Sequence, residues 1–159
     1  MMWTEEKIQQ ELTGKFAFLD GKIKLQRPRR LWVDAPAEHF DAIFSHLVRQ
    51  MDFPVLLTIT GLDETSQFCV IYHLAQLEGI VCNLKVVVPK DNPTWKSVGT
   101  FFPGGIIYER ELVDLLGLKI EGLPPGNRYP LPDDWPDGQF PLRKDWKRGG
   151  EAAIKEKAS

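Results

Sequence analysis

A chain of 159 residues with 43% hydrophobic and 26% charged side chains has the balance of one soluble globular domain with a single core. Its formal charge of −2 supplies no global field toward nucleic acid or an anionic membrane. Cys69 and Cys82 lack CxxC spacing and, with His39, His46 and His73 scattered, offer no metal framework, so reduced, buried thiols are expected.

The opening MMWTEEKIQQEL is charged almost at once, which is unlike a targeting segment, and no apolar run reaches the roughly 18–20 residues of a spanning helix. Thr4 is placed to cap a helix from Glu5 to about Thr13, with Glu5 and Glu6 at its positive end, Trp3 stapling toward Ile8, and Gly14 as its stop. In FAFLDGKIKL the Asp20-Gly21 pair predicts a hairpin, because both turn positions favour positive φ. Arg27, Arg29 and Arg30 flank Pro28 and lead into a strand at Leu31-Trp32-Val33. With Lys22 and Lys24 they form a basic patch. In a net acidic chain without a nucleic-acid motif, it reads as a charge-guarded strand edge rather than a phosphate or RNA contact.

Pro36 suits a helix start, and Phe40, Ile43, Phe44, Leu47, Val48 and Met51 follow at helical spacing, a stripe made to pack on a sheet. His39 and His46 share a rough face without a completing ligand and read as surface or boundary residues. Strands are expected at Val55–Thr60, Phe68–Leu74 and Ile80–Val88. Their alternation describes a sheet with one face on helices and one largely wet, which favours antiparallel pairing. Cys82 falls on the apolar side as an inert thiol, and His73 is an isolated strand histidine. Asp63 and Glu64 lie in the turn between the first two of these strands, where exposed acids have no burial to separate their pKa values for acid–base work. After the PKDNP loop, Thr94 is expected to cap a short helix through Trp95 and Val98.

From Pro103 the run GGIIYERELVDLLG predicts a three-turn helix ending at Gly117 in the left-handed conformation. Arg110 stands four residues before Asp114, and apolar side chains occupy most of the circumference, so the helix needs cover on nearly every side. Beyond Ile120 periodicity ends, and six of the twelve prolines forbid a regular helix or central strand. Tyr129, Trp135, Phe140 and Trp146, interleaved with Arg128, Arg143, Lys144 and four aspartates, suit an extended arm laid along a surface. The expected organisation is an α+β domain over residues 1–120, mostly antiparallel with helices on one face. A partner-binding arm over 121–148 and a disordered tail over 149–159 follow.

The segments YERELVDLLG, LPDDW and FPLRKDW resemble the 30-kDa-type subunit of respiratory complex I (NADH-quinone oxidoreductase) and its hydrogenase relatives. The matching residues are Glu109, Arg110, Glu111, Asp114 and Gly117, then Pro141, Leu142, Arg143, Lys144 and Asp145, all in the last third of the chain. Many quinone-linked members carry a Gly-His-Pro-Asp-Leu-Arg-Arg sequence after this helix. Here Gly122-Leu123-Pro124-Pro125-Gly126-Asn127-Arg128 stands instead, which looks more like the branch paired with membrane-bound nickel–iron hydrogenases.

The resemblance implies a non-catalytic peripheral-arm subunit on the cytoplasmic face of the membrane. It would clamp the 49-kDa-type or hydrogenase large subunit beside an iron–sulfur subunit, without inserting into the membrane or binding nucleic acid. No cofactor is expected in this chain; iron–sulfur clusters, and nickel–iron in a hydrogenase, would sit in the partners. The expected interface comprises Glu109, Arg110, Glu111, Asp114 and Arg128 as charged contacts with Arg143, Lys144 and Asp145, and Trp135, Phe140 and Trp146 as anchors. The alternatives are a standalone small-molecule enzyme built on His73 or the Asp63-Glu64 loop, and, behind it, a nucleic-acid-binding module on Arg27, Arg29 and Arg30.

Overall fold

The alternating runs in the middle of the chain pair into a five-stranded sheet in the computed structural model, which describes residues 3–147. In chain order the elements are α1 (Glu5–Lys15), β1 (Ile23–Arg27), β2 (Arg30–Asp34), α2 (Phe40–Gln50), β3 (Val55–Asp63), β4 (Gln67–Ala75), β5 (Val81–Pro89), β6 (Thr94–Lys96), α3 (Ile106–Leu116) and β7 (Lys119–Glu121). The main sheet runs β1-β2-β5-β4-β3 and is antiparallel except where β2 joins β5 in parallel. The expected α+β class with a mostly antiparallel sheet holds, with that one parallel pair making it mixed. The expected tail at 149–159 lies outside the described residues.

All three helices feed one core. Ile8 and Leu12 of α1, Phe40, Ile43, Phe44 and Leu47 of α2, and Leu112 and Leu116 of α3 share a cluster with Val70, Tyr72, Leu84 and Val86 of the central strands. The α2 stripe therefore packs as its spacing requires, and Phe40 and Phe44 meet the Tyr72 ring at 4.9 and 5.4 Å between centroids. Thr4 caps α1 by accepting a hydrogen bond from the Lys7 amide.

The opposite face is less wet than alternation implies. Cys69, Ile71, Ala75, Val81 and Asn83 are all buried on it. Lys85 reaches across β4 to Glu64 at 3.1 Å, and long side chains of this kind close over the sheet centre without a helix. Burial raises the Cys69 thiol to about 11 and the Cys82 thiol to about 12, so neither forms a thiolate readily.

Four local expectations change. The Asp20-Gly21 segment is not a hairpin, because Ala17–Leu19 forms a 3-10 turn that buries Leu19. The hairpin instead turns at Pro28-Arg29, where Arg29 has φ 62° and its amide is held by the Glu5 carboxylate. Thr94–Lys96 is a strand paired in parallel with β7, since Trp95 enters the core and donates to the Tyr72 hydroxyl at 3.0 Å. A bulge between Leu56 and Thr58 breaks the alternation of β3 and turns Leu57 outward. His46 is a buried residue bonded to Glu11 at 3.2 Å.

Candidate functional site

The ERE helix and the segment after it form one connected structure, built from α3 outward. Gly61 lets α3 lie directly on β3, since a Cβ there would meet the Leu112 and Leu116 side chains at 2.5 Å. The other side of α3 is covered by the chain's own residues 123–143, which return along it. The cover that the apolar circumference demands thus comes largely from within the chain.

Charged residues of the helix hold that returning segment. Arg110 donates to the carbonyls of Pro124 at 2.8 Å and Asn127 at 3.1 Å, rather than pairing with Asp114 one turn on. Gly126 allows this, because a Cβ there would strike the guanidinium. Asp114, 7% exposed, accepts from the Arg128 side chain at 3.3 Å and from the Leu131 amide at 3.2 Å. Arg128 also donates to the Trp135 carbonyl at 2.7 Å. Charge-assisted bonds of this kind contribute about 1.5–3 kcal/mol each where they are shielded from water.

Glu109 faces inward and is 1% exposed. Its carboxylate accepts from the Ser97 hydroxyl at 2.7 Å and the Val98 amide at 2.6 Å, tying α3 to the loop after β6. Burial raises its pKa, and those two hydrogen bonds only partly offset the rise. Glu111 differs from both neighbours: it is half-buried at the α3 surface and forms no ion pair among the described residues.

The far end of the segment is fastened at the C-terminus of α3. Gly117 adopts φ 74°, ψ 32°, and a Cβ there would meet the Phe140 ring at 2.6 Å. Arg143 donates to the Leu116 carbonyl at 2.6 Å, satisfying a helix-end acceptor, and its guanidinium lies over the Phe68 and Phe140 rings at 5.2 and 4.5 Å. The Leu142 amide donates to the Leu115 carbonyl at 3.0 Å.

Asp63 completes the attachment, and sequence reasoning placed it as an exposed loop acid. It is instead the buried last residue of β3. Its carboxylate accepts from Lys90 Nζ at 2.8 Å and from the backbone amides of Thr65 at 2.8 Å and Lys144 at 2.9 Å. Burial pushes its pKa up, and the Lys90 ammonium with the two amides more than offsets this, holding it at about 2. Nothing local marked this role, because the Lys144 amide comes from 81 residues away.

The remaining expected residues face outward. Trp135 and Trp146 are half-buried against each other at 6.1 Å, and both indoles donate to Gln139 at 2.8 Å, one to its carbonyl and one to its side chain. The Lys144 and Asp145 side chains are exposed.

His73 sits in a ladder rather than a reaction site. Its ring bonds the Thr60 hydroxyl at 2.9 Å and the side-chain amide oxygen of Asn83 at 2.7 Å, and the Asn83 side-chain NH2 donates onward to the Leu31 carbonyl at 3.1 Å. The order imitates nucleophile, base and orienter. Yet the hydroxyl is a β-branched secondary alcohol fixed between strands, so the ladder chiefly satisfies polar groups across four strands. Of the basic patch, the Arg29 backbone is occupied within the turn: its carbonyl accepts from the Val81 amide at 3.0 Å. Among the described residues no group of three or more His, Cys, Asp or Glu side chains could hold a metal ion, and no helix is long and apolar enough to cross a membrane.

Comparison with known proteins gives consistent matches. The family model described as "Respiratory-chain NADH dehydrogenase, 30 Kd subunit" matches residues 33–152. The membrane-bound hydrogenase subunit beta of Pyrococcus furiosus is 30% identical, over 94% of this chain and 90% of its own length. The NADH-quinone oxidoreductase C/D protein of Methylococcus capsulatus is 31% identical over 72% of this chain, a match spanning 21% of that longer protein. A chain in the structure of the membrane-bound sulfane sulfur reductase, an archaeal respiratory membrane complex, superposes with a TM-score of 0.80 at 28% identity, covering 96% of this chain and 90% of that one.

Proposed function

This chain belongs to the respiratory-chain NADH dehydrogenase 30 Kd subunit family, and we propose that it is a non-catalytic peripheral subunit docking on the large subunit of a membrane-associated redox complex. The carrying observation is that residues 123–146 are fastened to α3 and Asp63 at separate points, while Trp135, Trp146, Lys144 and Asp145 remain at the surface. A segment ordered before it meets its partner avoids much of the entropy cost of docking. The charged residues then divide by role. Glu109 ties α3 to the body, Arg110, Asp114, Arg128 and Arg143 shape and hold the arm, and Glu111, Lys144 and Asp145 meet the partner directly, with the tryptophan pair and the Phe140 edge as anchors.

The relative from Methylococcus capsulatus supports a partner kept permanently beside this domain, since one longer chain, named C/D, matches it over a fifth of its length. The match to a hydrogenase subunit beta supports the hydrogenase-type branch, as does the Gly122–Arg128 sequence. In this reading the redox cofactors belong to the large and iron–sulfur subunits, and this chain lies on the cytoplasmic face of the membrane. The test is co-expression with the large subunit. Arg110→Ala combined with truncation at Leu131 is expected to abolish co-purification of the two subunits; unchanged assembly would show that the arm is not the docking element.

A further inference from the structure

The arm accounts for one flank of α3; the other flank, where the helix runs beside β3, holds a groove that the arm leaves open. It measures about 200 Å3 and is lined by Thr58, Gly61, Glu111, Leu112, Leu115 and Leu142, among others. We infer that this groove receives an extended segment of the large subunit, which adds to the free edge of β3 as a further strand, sets apolar side chains on Leu115 and Leu142, and pairs a lysine or arginine with Glu111. The inference rests on the docking reading above and names a second contact within it, which takes up Glu111 and the arm's Leu142.

Three observations converge. First, β3 is an edge strand, bonded to β4 on one side only. Edge strands are ordinarily guarded by lysine, proline or bulges. β3 carries neither lysine nor proline in VLLTITGLD, and its one bulge lies before Thr58, so the stretch from Thr58 to Leu62 is unguarded. Second, large apolar side chains are left in water on the groove wall and beside its lining residues in the chain: Leu142 on the wall is 54% exposed, Leu57 next to Thr58 47%, and Ile107 one helical turn before Glu111 41%. The Tyr108 hydroxyl donates to the Leu57 carbonyl at 3.1 Å, which places the start of α3 beside that end of the groove. Third, Glu111 is the half-buried carboxylate on the groove wall, and it has no cation among the described residues.

Together these ask for an occupant of defined chemistry. Main-chain donors and acceptors satisfy the strand edge, alternate apolar side chains fill the groove, and one cationic side chain meets Glu111. A second copy of this chain fits worse. Symmetric pairing of β3 with β3 brings two Glu111 carboxylates to the same interface, and like charges so placed oppose association.

The experiment compares the free full-length chain with its co-purified complex with the large subunit. Hydrogen–deuterium exchange is expected to slow about tenfold or more at the solvent-facing amides between Thr58 and Leu62 on complex formation. Glu111→Lys should weaken association about tenfold or more at low salt, with Glu111→Gln intermediate, while melting temperatures of both variants stay near that of the parent. Exchange at Thr58–Leu62 that is the same in free chain and complex overturns the inference. So does full binding by Glu111→Lys, and so does protection that tracks dimer formation by the free chain. If the groove fails these tests while arm truncation still abolishes assembly, the arm reading stands alone. If the groove is protected but truncation is harmless, docking belongs to β3 and α3 instead of the arm.

Discussion

Asp63 and Glu109 are both buried carboxylates that fasten distant parts of the chain, yet their pKa values move in opposite directions. Glu109 has only a hydroxyl and one amide against its burial, so its pKa rises. Its protonation favours the fold: that contribution is full below its unfolded pKa and is lost as pH rises through the folded value. Asp63 has an ammonium and two amides, and its pKa falls from 3.8 to about 2. Its contribution, roughly 2 kcal/mol by linkage, is full above about pH 4 and is lost as pH falls toward 2. Asp63→Asn is therefore expected to lower stability at pH 7 by roughly 2 kcal/mol and to flatten the acid limb between pH 4 and 2, measured by urea unfolding across pH. The identities of such charges were legible in the sequence, but their partners were not. Arg110 and Asp114 stand in register for a helical pair worth a few tenths of a kcal/mol, and each instead bonds backbone or side chains more than ten residues later. Local spacing cannot rank a weak helical pair against a tertiary contact.

Among the elements, α3 depends most on a single backbone position. Gly117 supplies the left-handed turn that ends the helix, and its missing side chain leaves the space that Phe140 and Arg143 occupy. Gly117→Ala should cost about 1–3 kcal/mol, combining the positive φ with displacement of the Phe140 ring. It should also make the Arg143–Lys144 region cut faster in limited trypsin digestion, while far-UV circular dichroism stays the same. This stop was readable, as was the α2 stripe, because glycine stops and helical periodicity are local signals. Two short elements were not. Asp20-Gly21 carries the favoured hairpin pair, but the apolar Phe16–Leu19 run coils so that Leu19 enters the core, and the turn moves to Pro28-Arg29. Thr94–Lys96 looks like a capped helix start until β7 is placed beside it. In both, a distant partner decided the conformation.

Across the described residues, every member of the buried core cluster precedes Lys119, and Ile120 is the last hydrophobic side chain packed against it. We propose that the body and the segment after it are energetically separable. A chain ending at Gly122 is expected to melt as one cooperative unit by calorimetry, lowered by several degrees through loss of the contacts at Asp63, Asp114 and Leu116, and to lose co-purification with the large subunit. A non-cooperative melt would show that residues beyond 122 belong to the body. The strand and helix content of that body was largely predictable, whereas its strand order was not, since alternation identifies faces and leaves neighbours open.

That strand order also bears on how the protein is made. β2 meets its sheet only through β5, with Arg30 beside Val81 and Asp34 beside Lys85. A ribosome adding about 5–20 residues per second needs a few to about ten seconds between those two stretches. Through that interval the β1–β2 hairpin has no β5 to pair with, so it is expected to join the rest of the sheet only once β5 has been made.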